Sequence, residues 1–438
     1  MKAGAGLTGR YCLLQGSYYG VNCAVIGYAS VFLLERGMSP AGIGALIAAG
    51  NVLSAVFQPL AAGIADRSGR VTLKQMIRLA AAAGAILSLL VGVTGKLLLI
   101  APMYMMLALI ANLEMPLVNA VSVYFNSRGR SINFGLARGI GSLTYAAFSY
   151  GLGLLAGMFG AGLIPWAAMA LYAAVFICCG LFVMKPEGRG SGGEPGSPSG
   201  PEAFASGIPA AEQRKSRPDF PDGTQAHTSP EDRAQVLPAA SSEIPQRKGN
   251  GFFSRYPAFT LTLAGVVLLF AFHNITCTYM IRMMERFGGG SAEMGLALAV
   301  AAVCELPTML LFSRLARRFG TSALLTASAA GFVVKSLLLL AAWDVNMILA
   351  AQIFQAFSFA LFIPASVAFT DQVMDRGDKI KGQAYMTAAS TLGSVAGNLS
   401  GGIVLDAAGV GAMLVLACAF ALGGLMTVGA AAVRQRRK

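Results

Sequence analysis

Twelve stretches of about twenty or more mostly apolar residues follow one another along this 438-residue chain. A helix needs about 20 such residues to cross the hydrocarbon core of a bilayer. Six of the runs precede residue 186: 11–34, 41–64, 75–94, 97–124, 135–160 and 162–184. Six follow residue 256: 257–283, 291–313, 321–342, 346–370, 380–405 and 410–433. Only 12% of the residues are charged, against about a quarter in soluble domains. The polar surface that would clothe globular domains is missing, so lipid must be the outer solvent. The expected fold is an all-α membrane protein with twelve transmembrane helices in two six-helix halves.

Between the halves the composition changes. Pro186 to Phe252 holds ten of the eighteen Pro and nine of the twenty acidic residues, and contains the run GRGSGGEPGSPSGPE. Such a segment cannot bury enough apolar area to offset its chain entropy. The expected organisation is an N-terminal half over 1–185, a disordered cytoplasmic linker over 186–256 and a C-terminal half over 257–438.

The net charge of +13 would suggest nucleic acid in a soluble protein. Here the basic residues sit in short loops, where they set topology, so nucleic-acid binding is not expected. Arg67, Arg70, Lys74, Arg78, Arg128, Arg130, Arg314, Arg317, Arg318, Arg376, Lys379 and Lys381 fall on one side of the membrane. The other side carries little beyond Arg36, Lys96, Arg282 and Arg286. The positive-inside rule therefore places both termini and the linker in the cytoplasm, with the protein in the cell membrane. The seven cysteines lie in apolar runs with no CxxC and no Cys/His cluster. They read as small buried hydrophobes, so neither disulfides, a metal nor another cofactor is expected. No cleavable signal peptide is expected either, because the first apolar run is full length and has no A-x-A site. GxSxG, Walker A and HExxH are absent, so no catalytic residues are assigned.

The halves repeat weakly. AGIADRSGRVTLKQ (62–75) follows the second run and SRLARRFGTSALL (313–325) follows the eighth, each a basic, Gly-containing hinge. Two six-helix halves with parallel repeats are the plan of a secondary transporter. ADRSGR (65–70) resembles the signature loop of the major facilitator superfamily. In that family the loop latches the cytoplasmic ends of the halves, which implies latch roles for Asp66, Arg67 and Arg70. Arg317 stands where the second copy would have its acid. FQPL (57–60), FGLARGIG (134–141), CELP (304–307) and Lys335 resemble the lactose-permease branch, the oligosaccharide:proton symporters.

Charges inside a span cost several kcal/mol and need a purpose. Four stand out: Glu114, Arg138, Glu305 and Lys335. From the run boundaries Glu305 and Lys335 lie about 12 and 21 Å from the same membrane face. They form a static ion pair, exchange partners as Glu305 takes up a proton, or do not pair. Arg138, Ser142, Tyr145 and Ser149 make a polar stripe on one helix face and should line a cavity. Further stripes are Gln15, Tyr18 and Asn22; Asn112 and Asn119; Gln352, Gln355 and Ser358; and His273 with Thr276. Gly393, Gly397 and Gly401 at four-residue spacing suit close helix packing.

The resemblance implies that Arg138 is the main solute-binding cation and that Tyr145 replaces a Trp that stacks on the sugar. It puts Asn119 where that branch has an acid, and Gln355 and Ser358 where it has a proton-coupling His and Glu. Glu114 then pairs with Arg138, binds a cationic solute or carries a proton. The substrate-binding set is Arg138, Tyr145, Asn119, Gln355, Gln352 and Asn22; the proton-coupling set is Glu305, Lys335, Glu114 and His273. The expected activity is transport of a small hydroxylated solute, a sugar or a nucleoside, by a monomer, with protons as the coupling ion. The alternatives are a drug or metabolite exporter and a transporter-like sensor. A topology reporter inserted within 186–252 should give a cytoplasmic signal; a signal from the opposite side would overturn the charge argument.

Overall fold

The computed structural model describes residues 2–67, 72–184, 251–375 and 377–436, apart from the side chains of 2–5, 61–67 and 436. Residues 186–250 of the expected linker lie outside this set, as do Arg70 and the side chains of Asp66 and Arg67. Among the described residues nine helices are long and apolar enough to cross a membrane, ten with the bent first pair taken as one span; dividing Lys379–Arg436 at Gly409 and joining Val345–Ile353 to Phe359–Val373 gives twelve helical segments. In the first half these are α1 (Lys2–Asn22 continued by Ala29–Glu35), α2 (Pro40–Arg67), α3 (Leu73–Val93), α4 (Leu97–Asn126), α5 (Phe134–Phe159) and α6 (Ile164–Gly180). The second half holds α7 (Pro257–Thr278 continued by Met280–Glu285), α8 (Ser291–Phe319), α9 (Thr321–Leu340) and α10 (Val345–Ile353 continued by Phe359–Val373). Its last two spans, α11 and α12, run through Lys379–Arg436 and are divided at Gly409, whose φ of 79° ends one rod and starts the next.

Residues 252–256 belong with the following helix rather than with a disordered tether. Phe252–Arg255 form a helical turn, and the Phe252 ring lies 4.9 Å from that of Tyr385. Tyr256 donates its hydroxyl to Asp375 at 2.8 Å and to Asp378 at 3.0 Å. Two Phe and a Tyr supply the apolar area that the rest of the segment lacks.

The halves share a bend. Tyr28 interrupts α1 with φ −103° and ψ 12°, and Tyr279 interrupts α7 with φ −103° and ψ 22°. In α1 the chain first widens into a π-turn over Cys23–Gly27, and Tyr28 N–H bonds to Cys23 O. The two parts of α1 meet at 42°. Each tyrosine is fully buried. Tyr28 donates to Ser149 O on α5; Tyr279 donates to Asn398 O on α11 at 2.7 Å and to Pro40 O on α2 at 3.2 Å.

These hydroxyls sit where the halves cross. α5 packs on α8, and α2 packs on α11. At the first crossing Gly153 faces Gly295; a Cβ on Gly153 would fall 2.6 Å from the Tyr28 hydroxyl and 3.0 Å from Gly295 Cα. At the second, a Cβ on Gly402 would fall 2.5 Å from both Pro40 O and the Tyr279 hydroxyl. Backbones approach this closely only where side chains are absent. Ala41 N–H also donates to Asp406 at 2.7 Å. Among the described residues, the hydrogen bonds that join the halves all lie at this end, opposite the chain termini. At the termini end the bonds stay within a half: Lys74 donates to Gly180 O and Phe182 O, and Arg255 pairs with Asp378.

Gly393, Gly397 and Gly401 pack α11 onto Val267, Ala271 and Ile275 of α7, as their spacing suggested. Gly402→Val should keep the end opposite the termini from closing. Cys277, one half-turn inward of Tyr279, should then react several-fold faster with an impermeant maleimide applied from that side, in a background without the other cysteines. Unchanged labelling would show that this crossing is not the seal.

Candidate functional site

The broken span α10 organises the centre of the second half. Residues 354–358 leave the α-helix: Gln355 N–H bonds to Gln352 O and Phe357 N–H to Phe354 O, the tighter three-residue pattern. α9 makes room for the break. Ser328 donates to Ser358 O at 3.0 Å, and a Cβ on Gly331 would fall 2.5 Å from Phe357 O. Irregular backbone at membrane depth is tolerated only where protein or a cavity satisfies it.

Gln355 sits in that break and joins two charges. Lys335 Nζ donates to Gln355 Oε1 at 2.7 Å, and Gln355 Nε2 donates to Glu305 Oε1 at 3.0 Å. The direct Glu305–Lys335 ion pair considered from the sequence is therefore replaced by a bridged one. The depth difference inferred from the apolar runs also disappears. α8 continues through Arg314, Arg317 and Arg318 to Phe319, so Glu305 lies fourteen residues before its end. Lys335 lies fourteen residues after the start of α9 at Thr321. Both are about 21 Å from the same end. The basic residues misled the boundary because their stems let a helix continue into the headgroup region.

Arg138 on α5 faces this group from the other half. Glu305 is the acid that acts on it electrostatically. Its guanidinium lies 4.8 Å from the centre of the Tyr19 ring, a cation–π contact, and makes no hydrogen bond to any described residue. Tyr19, whose buried hydroxyl has no partner among the described residues, was not among the residues singled out by sequence. The stripe chosen there was Gln15, Tyr18 and Asn22. The signal available was adjacency: Gly141, one turn from Arg138, is where the Tyr19 ring packs.

The other residues of the α5 stripe divide. The Tyr145 hydroxyl reaches the α1 bend, 2.9 Å from where a Gly27 Cβ would stand, with Leu298 of α8 beside it. Ser149 is spent in the α5–α8 crossing, its carbonyl accepting from Tyr28 and its hydroxyl donating to Ala146 O. Asn119 accepts from Gln15 at 3.0 Å, and Gln15 also donates to Tyr11. Gln352 is buried and donates to Ile348 O at 3.1 Å, so it is separate from the Gln355 bridge. His273 stacks flat on Phe359, with ring centres 4.4 Å apart, and touches Cys277 Sγ.

Glu114 does not join Arg138. It is completely buried and both carboxyl oxygens lack a partner among the described residues. The groups it acts on are Tyr18, Tyr172 and Cys179. The Tyr18 and Tyr172 hydroxyls close on the same helix, at Ala111 O and Leu107 O. Asn112 has a different neighbour from Asn119: it donates to Ser54, and its carbonyl accepts from Gln58 of the FQPL motif. Pro116 supplies the reason, since it has no N–H for that carbonyl.

The family profile described as "MFS_1 like family" matches residues 13–415. The chain belongs to the MFS_1-like family. No curated protein sequence matches it significantly. Among solved structures, it is similar to the nucleoside transporter NupG (D323A mutant), at 12% identity and a TM-score of 0.70, covering 96% of this chain and 97% of that one. An auto-inhibited POT family peptide transporter is similar at 13% identity and a TM-score of 0.65, covering 98% and 97%. A bacterial homolog of the human lysosomal transporter Spinster, in an inward-facing and occupied conformation, is similar at 13% identity and 0.56, covering 99% and 94%. Family and fold together make this MFS_1-like chain a multi-pass membrane protein of the secondary transporter type.

The bridge makes a specific demand on stability. Gln355→Leu leaves the 2%-exposed Lys335 without its hydrogen-bond acceptor, at a cost of about 1–3 kcal/mol or more. The melting temperature should fall, and adding Lys335→Met should restore much of the loss. Additive destabilisation by the two changes would show that Gln355 does not hold Lys335.

Proposed function

We propose that this protein is a proton-coupled symporter of a small hydroxylated solute, of the sugar or nucleoside class, working by alternating access of its two halves. The observation that carries the reading is the placement of Glu305. It is tied through Gln355 to Lys335 in its own half and faces Arg138 in the other. A proton on Glu305 removes the negative charge that both cations share. The hold on Gln355 then weakens and Arg138 is freed for an acceptor on the solute. A single protonation is thereby coupled to solute binding and to the interaction between the halves.

Arg138, held over Tyr19, offers a planar fork of donors suited to the oxygens of a hydroxylated solute. NupG, a nucleoside transporter by name, shares the fold, which is compatible with that solute class. The lactose-permease branch supplies the same Arg in its FGxAR motif, and we read Arg138 by that likeness. Tyr145 roofs the site at the bend of α1. Gln352, Asn119 and Asn22 act as structural polar partners around it. His273, held by its stack on Phe359, serves as a wall. Glu114, fully buried and without a hydrogen-bond partner among the described residues, stays in the proton-coupling set as the alternative to Glu305.

In this reading the termini, the segment between the halves and the latch formed by Asp66, Arg67 and Arg70 are cytoplasmic, and the protein is a monomer in the cell membrane. The bonded crossings then close the outer side, so the structure represents the inward-facing member of the transport cycle. In proteoliposomes Glu305→Gln should abolish solute accumulation driven by a pH gradient while preserving solute exchange. Uphill accumulation by the variant would remove Glu305 from the coupling role. Outward pumping by the native protein would favour an exporter, and binding without flux a sensor.

A further inference from the structure

The central site carries an excess of positive charge. Arg138 and Lys335 are both at the centre, and Glu305 is the acid that acts on each of them. Glu114 lies away from this group, with Tyr18, Tyr172 and Cys179 as its electrostatic neighbours. His273 beside Lys335 and Cys277 are no substitute for a second carboxylate. Of the two cations, only Lys335 is committed to a protein acceptor, at 2.7 Å from Gln355 Oε1. Arg138 donates to no described residue, and Glu305 spends Oε1 on Gln355.

An uncompensated charge in a low-dielectric interior is costly. Loading a proton onto Glu305 would raise the excess further. A neutral sugar or nucleoside supplies hydrogen-bond acceptors but no charge to offset it. A carboxylate supplies both, and its two oxygens match the guanidinium fork. The Tyr19 hydroxyl, buried and without a partner among the described residues, lies beside Arg138 on the ring that the guanidinium covers. A polar group of a bound solute would supply the partner that this hydroxyl lacks.

Resting on the symport reading above, we propose that the transported solute is a hydroxylated monocarboxylate, such as a sugar acid, whose carboxylate is held by Arg138 and whose neighbouring hydroxyl is met by Tyr19. The proton on Glu305 and the acid then enter together. The proton removes the protein's own negative charge, and the solute carboxylate takes over its place opposite Arg138.

The test uses purified full-length protein and matched pairs of compounds: D-galacturonate against D-galactose, D-glucuronate against D-glucose, and D-gluconate against D-glucitol. Uridine and adenosine serve as neutral ring controls. By calorimetry at least one acid should bind at least about tenfold more tightly than its neutral partner, the scale of one charge-assisted bidentate contact. Arg138→Gln should abolish that preference, and Arg138→Lys should reduce it while keeping the charge. Melting curves establish that the variants are folded. The proposal is overturned if none of the acids binds, if a neutral partner binds equally well, or if the preference survives Arg138→Gln in folded protein. Counterflow of the labelled compounds in proteoliposomes separates this failure from failure of the transport reading. Exchange of a neutral solute that the acids do not compete with removes the carboxylate and leaves the transporter. Binding of an acid without exchange leaves the anion site and removes transport.

Discussion

Burying ionised groups in a span is the constraint on which the rest of this structure depends. A charge at mid-membrane costs several kcal/mol unless something compensates it. Here the compensation is a chain rather than a pair: Lys335 to Gln355 to Glu305, with Arg138 facing from the other half. For Gln355 to reach both ends, α10 has to break at 354–358. For the break to pack, α9 has to present Ser328 and Gly331 there. The unwound turn, the small residues on α9 and the level placement of Glu305 and Lys335 are consequences of one polar bridge. Expectation and structure part at this bridge. A direct ion pair asks only for two residues at one depth, while a bridged one needs a third side chain whose location depends on a helix coming undone.

The far end of the molecule works by a different principle. Lipid gives no hydrophobic drive for helices to associate, so contact there depends on close packing and on hydrogen bonds. Gly153 against Gly295 brings α5 to α8, Gly402 against Pro40 brings α11 to α2, and a buried tyrosine from a matching bend in each half bonds to the backbone at each crossing. Because Tyr28 and Tyr279 have nearly the same backbone conformation, the two crossings are copies of one another.

Glu114 shows what residue type alone leaves open. On the sequence it pairs with Arg138, binds a cationic solute or carries a proton. In the structure it is fully buried, without a partner for either oxygen among the described residues. Ser149, a cavity-lining candidate on the sequence, is likewise spent in a helix crossing. A polar stripe at helical spacing identifies the face that avoids lipid. It does not separate residues that meet solute from those that hold helices together.

The sequence by itself determined the membrane class, the all-helical fold and the four intramembrane charges. It could do so because run length and charge are local properties that lipid reads directly. It also marked the Gly393–Gly397–Gly401 stripe, since four-residue spacing keeps one helix face bare. Tertiary structure alone decided which charges meet. That depended on the true end of α8 beyond its basic residues, on the break in α10, and on Tyr19 lying against Gly141 beneath Arg138. Each of these is set by contacts between spans far apart in the chain, and helical periodicity carries no information about a neighbour's rotation or depth.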